Sequence, residues 1–203
     1  MKSVITIDCG GLVSRRGIST YIRGLLTGFS EISLKELRIV FLIPISLKQE
    51  FSESSNFKIK IIYLPYINQI FWDLFTFPLA SIILCADLVH FTGNTGGTAL
   101  LKLFAKKLVL TLHDVSYLKS DLINPKPKII RQRLGYYYRR INVPLISSMA
   151  NQIISVSEFA KDDIVKELGI NKLKISVIHN AVAPIFFSNP KVVDKTNTIL
   201  IVS

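Results

Sequence analysis

Short apolar runs alternate along this chain with stretches whose apolar positions recur every three or four residues. The runs at 4–7, 37–43, 59–64, 88–91, 108–112, 153–156 and 175–178 have strand length. Between them, 19–29 carries Tyr21, Ile22, Leu25, Leu26 and Phe29 at helical spacing. Residues 71–85 read as a largely apolar helix, with 74–86 buried, 127–148 as a long basic helix with Pro144 as a candidate break, and 158–168 as a helix stopped by Gly169. This alternation predicts an α/β fold, a doubly wound Rossmann-like parallel sheet. Residues 188–198 are polar, contain Pro190 and have no periodicity, and 199–202 opens another apolar run. The reading is therefore one domain over 1–187, with 188–203 as a linker and the first strand of a further domain.

Composition narrows the class. With 49% apolar residues in short, punctuated segments, the chain is globular rather than disordered. No segment reaches the roughly 18 to 20 apolar residues of a membrane span. The apolar start is cut short by Asp8, unlike a signal peptide. The expectation is a cytoplasmic protein. Cys9 and Cys85 lack metal or redox spacing and read as small buried residues. The net charge of +11 is unevenly placed: between Asp121 and Glu158 there is no acidic residue. That interval holds Lys126, Lys128, Arg131, Arg133, Arg139 and Arg140, interleaved with Tyr136, Tyr137 and Tyr138. Such a stretch either meets a phosphate-rich partner or is a solvated helix face. An anionic lipid surface would make the protein peripheral on the inner membrane face. Nucleic acid is disfavoured, because no nucleic-acid motif accompanies the charge.

In sheets of this kind ligands sit beyond the carboxyl ends of the strands, so polar residues there are the candidates. The loop from Gly10 to Ser19 contains Arg15, Arg16 and Gly17 and matches neither G-x-G-x-x-G nor the P-loop. It reads as a phosphate approach, or as a tight turn with Ser19 as helix cap. His90, Thr92 and Asn94 lie in a small-residue segment where His90 contacts a ligand or ties down the loop. His113 closes a strand and is placed to meet a ligand. Asp114, its neighbour, points to the opposite face and caps the next turn or bonds a hydroxyl. Ser157 suits a helix N-cap, and Asn180 a turn. No metal cluster or Ser-His-Asp set is apparent.

Four landmarks stand in order: the first loop and helix from Gly17 to Leu26, the Leu110-Thr111-Leu112-His113-Asp114 segment, residues 154–162, and residues 175–182 followed by 199–202. In that order they resemble family 4 glycosyltransferases, the retaining nucleotide-sugar enzymes with two facing Rossmann-like domains (the GT-B architecture). The resemblance implies that this chain is the amino-terminal, acceptor-side domain. Gly17, with Ile18, would approach the donor diphosphate, and His113 would contact the donor sugar near the reacting carbon as the catalytic residue. Arg16, His90, Thr92, Asn94, Asp114, Ser157 and Asn180 would then face a glycan or lipid-linked acceptor. It implies a UDP- or GDP-sugar as donor substrate, no cofactor or metal, and a donor domain in cis or in trans. The family's donor-side Arg and Lys and its paired glutamates would lie beyond residue 203, so the chain is expected to be inactive alone. The alternative is a non-catalytic glycan- or protein-binding module on the same fold.

Overall fold

The computed structural model describes residues 2–14, 17–32, 36–52, 59–97, 107–119 and 127–181. Seven parallel strands form one sheet: β1 (Ser3–Asp8), β2 (Leu37–Pro44), β3 (Lys60–Leu64), β4 (Leu88–Phe91), β5 (Lys107–Leu112), β6 (Gln152–Ser155) and β7 (Ile175–Val177). Their order is β3-β2-β1-β4-β5-β6-β7. The chain thus winds outward from β1 in one direction, returns, and winds outward in the other. The switch point lies between β1 and β4, where Ile7 pairs with His90.

The continuous apolar runs are explained by two cores. In β2, Ile39, Phe41 and Ile43 pack with Ile22 and Leu26 of α1 (Gly17–Glu31) and Phe51 of α2 (Lys48–Ser52). The alternate residues Val40 and Leu42 pack on the other face. The core on that face also holds Trp72 and Phe77, Val143 and Ile146 of α5 (Ile130–Met149), and Ile164 of α6 (Glu158–Leu168). Trp72 and Phe77 belong to a helical stretch made of α3 (Gln69–Phe71), a π turn (Trp72–Thr76) and α4 (Phe77–Ile83). With both faces covered, a one-residue slip would exchange one set of buried side chains for the other, so the register is fixed by packing. Burying each such side chain contributes about 1.5–3 kcal/mol.

The doubly wound sheet is the one expected; several local details differ. The 71–85 helix is not buried throughout. Trp72, Asp73, Phe77 and Ser81 face inward, but Phe71, Phe75, Leu79 and Ile83 are 41%, 46%, 46% and 80% exposed, because only one side of this stretch meets the sheet. Cys85 is exposed and sits at φ 51, ending α4 in a left-handed turn, whereas Cys9 is buried as expected. Ser19 is no cap: α1 begins at Gly17 and carries Ser19 inside, buried. Pro144 does not break α5. It lies on the exposed side, where its ring does not press into the core. The 158–168 helix is as read, with Ser157 accepting from the Ala160 N–H at 3.0 Å and Gly169 at φ 63. Arg16, Lys126, the Arg131 side chain and residues 188–203 lie outside the described residues.

Candidate functional site

The carboxyl ends of β1, β4 and β5 bring the candidate residues together. At the end of β1, Asp8 turns back into the protein. Its Oδ1 accepts from the Gly10 N–H at 2.8 Å and from the Trp72 indole at 2.6 Å. A side chain on Gly10 would stand 2.6 Å from the Trp72 ring, so glycine is required there. Above this seal, Ile18 of α1 packs against Gly11 and reaches toward Gly93 of the loop after β4. Gly17 opens α1 with free space around it.

His113 is gripped at both ends. Its backbone N–H donates to Asn94 Oδ1 at 2.7 Å, and its Nε2 lies 2.9 Å from the Thr92 carbonyl. A carbonyl can only accept, so Nε2 carries the proton and Nδ1 is left as an acceptor. Tyr21 of α1 meets the ring edge-on at 5.0 Å. Burial holds the imidazole below its ordinary pKa, against the opposing pull of the Thr92 carbonyl and Asp114, which keeps it neutral at physiological pH. Asp114 caps the following turn, accepting from the Ser116 N–H at 3.1 Å and its hydroxyl at 2.7 Å.

The other histidine of the pair is placed differently. His90 lies within the sheet, its Nε2 2.8 Å from Thr111 Oγ1, which in turn meets the Tyr21 hydroxyl at 3.1 Å. Burial lowers its pKa to about 4. Thr92 and Asn94 are also buried, with Thr92 Oγ1 donating to the Asp8 carbonyl at 2.8 Å. These three therefore build the support under His113. Ser157 serves α6 as its cap, and Asn180 is exposed beyond β7.

The basic stretch divides. Arg140 turns inward, donating to the Tyr117 carbonyl at 3.1 Å and the Tyr136 hydroxyl at 2.6 Å. The Arg139 guanidinium lies 5.7 Å from the Tyr117 ring centroid. Both thus stand beside the turn that follows His113. Lys128 and Arg133 are exposed farther along, with Arg133 Nε donating to the Pro127 carbonyl at 2.9 Å.

One set of residues escaped the sequence reading. Asp73, fully buried in the π turn, accepts from Gln69 Nε2 at 2.7 Å, Thr95 Oγ1 at 2.6 Å and the Tyr138 hydroxyl at 3.0 Å. Burial, then the charge of Asp8, raises its carboxyl to about 7; burial raises Asp8 to about 6. The signal available was an isolated acid in an otherwise apolar helix. Among the described residues, no group of three or more His, Cys, Asp or Glu could hold a metal ion, and no helix is long and apolar enough to cross a membrane.

Comparison with known proteins agrees with this fold. The family described as Glycosyltransferase Family 4 matches residues 16–184. No curated protein matches the chain. Among solved structures, a glycosyltransferase from Rickettsia africae ESF-5 superposes with a TM-score of 0.50 at 16% identity, over 95% of this chain and 47% of that one. The S. aureus MnaA–UDP co-structure gives 0.53 at 14% identity, over 97% of this chain and 50% of that one. At these identities the likeness shows the fold, a Rossmann-like sheet of the GT-B kind, and the chain spans about half the length of either structure. With the family match running across most of the sheet and through the His113 loop, the chain belongs to glycosyltransferase family 4.

Proposed function

We propose that this chain is the amino-terminal, acceptor-side half of a retaining glycosyltransferase that moves a sugar from a UDP- or GDP-sugar to a glycan or lipid-linked acceptor. The observation that carries the reading is His113: a neutral imidazole at the carboxyl end of β5, held by Thr92 and Asn94, with Nδ1 left to accept from a hydroxyl. A neutral acceptor suits a sugar hydroxyl better than a phosphate oxygen, which can only accept at neutral pH. The UDP bound in the S. aureus neighbour supports a nucleotide-sugar donor. Gly17 and Ile18 open α1, where backbone N–H groups suit a diphosphate. The main charge stabilisation of the leaving diphosphate would come from a second, donor-binding domain, in cis or in trans. The exposed members of the basic stretch, Lys128, Arg133 and Arg139, would face an anionic membrane surface or a lipid diphosphate.

The test is calorimetric titration with UDP- and GDP-sugars of this chain alone, then mixed with a separately expressed family 4 donor domain. Binding and turnover in the mixture, with turnover lost in His113→Ala, is the expected result. Heat from the chain alone would move the donor contacts onto this half. Absence of heat in both arms overturns the reading.

A further inference from the structure

We infer that Asp73 is a positioning residue for His113, acting through Thr95 and the turn at Asn94. The functional meaning of this rests on the reading of His113 as the sugar contact; the geometry does not. Both groups that grip His113, the Thr92 carbonyl and the Asn94 side chain, belong to one short segment after β4. Asn94 sits at φ 64, a left-handed conformation that costs a non-glycine residue energy and persists only where its surroundings hold it. The next residue turns tightly, the Thr95 N–H donating to the Gly93 carbonyl at 2.8 Å.

Beyond Asn94 the segment is tied to two other elements. Thr95 Oγ1 donates to Asp73 Oδ2 at 2.6 Å. Gly96 exchanges two hydrogen bonds with Asn142 of α5, at 3.0 and 2.8 Å. There is no slack between them: a side chain on Gly96 would stand 2.7 Å from the Phe91 ring, and one on Gly97 would strike the Asp73 carbonyl. Asp73 is itself fixed by Gln69 and Tyr138. The π turn makes this possible by turning two successive residues inward, Trp72 to Asp8 and Asp73 to Thr95. The strained turn that carries Asn94 is thus bolted to a buried carboxylate on the side away from His113. Without that bolt Asn94 relaxes to a right-handed φ, its Oδ1 leaves the His113 N–H, and the Thr92 carbonyl swings off the ring.

The experiment is nuclear magnetic resonance of the free protein in Thr95→Val, with Thr95→Ser as the conservative variant and Ile164→Val, in α6, as a control for lost stability elsewhere in the same core. In Thr95→Val the His113 ring nitrogens lose the Nε2–H tautomer signature, the His113 amide moves upfield, and exchange of the Asn94 and Gly96 amides quickens about tenfold, as for one lost buried hydrogen bond. Thr95→Ser restores the wild-type signals and Ile164→Val leaves them in place. The inference is overturned if His113 is unchanged in Thr95→Val, or if Ile164→Val shifts it equally. Should Thr95→Val fail to fold, Thr95→Ala makes the same cut without pressing a methyl on the carboxylate. No ligand is added, so failure to bind nucleotide sugars would sink the proposed function alone, and an unmoved His113 would sink this inference alone.

Discussion

Replacing Asp73 with Asn should make the protein more stable in alkali and leave it nearly unchanged in acid. Asp73 has no exposed surface, and burial followed by the charge of Asp8 lifts its carboxyl from an ordinary 3.8 to about 7. The folded state therefore holds this proton more tightly than the unfolded chain. Stability from the group is fully present below about pH 4 and is lost as pH rises through about 7. A difference of about three pKa units, at about 1.4 kcal/mol each, sets the cost of the ionised carboxylate at up to about 4 kcal/mol. That is a large part of a typical net stability of about 5–15 kcal/mol. Asn keeps an oxygen for Thr95 and Tyr138, and its amide can meet Gln69 once that side chain flips. Asp8, raised to about 6, still gives the variant a slope of its own at lower pH. Urea denaturation at intervals from pH 4 to pH 9 is the assay. The curves should converge near pH 4 and separate toward pH 8 in favour of Asp73→Asn. A constant offset across the range would refute the reasoning, since it would show that Asp73 does not titrate between the two states.

Two further substitutions probe the frame. Ser157→Ala removes the oxygen that accepts from the Ala160 N–H and should cost about 1 kcal/mol in urea denaturation, with the circular dichroism of the folded state retained. Gly97→Ala places a carbon against the Asp73 carbonyl and 2.5 Å from Pro78 Cγ, and should cost about 1–3 kcal/mol, read as a lowered melting temperature.

The sheet was legible because its strands are covered on both faces: a run such as Leu37–Pro44 admits few other structures. The position of His113 at the end of a strand was legible, as were Ser157 and Gly169 from cap chemistry that acts within a few residues. What stayed hidden depends on topology. Asp8, Asp73, Thr95 and Tyr138 are far apart in sequence and meet only because β1 and β4 are neighbours and α5 crosses beside the π turn. His90 read in sequence either as a ligand contact or as a residue tying down its loop; parallel pairing of β4 with β5 sets it near Thr111. The π turn that carries Trp72 and Asp73 has no sequence signal of its own.

The two cysteines give the chain an unplanned handle for spectroscopy. Cys9 is buried, and burial raises its thiol well above the ordinary range, so it resists alkylation. Cys85 is exposed where α4 ends, just before β4 begins. A maleimide dye would therefore mark a single position, at the opposite end of β4 from the loop that grips His113. Such a probe would report the docking of the proposed donor domain by energy transfer without a mutation and away from the His113 loop.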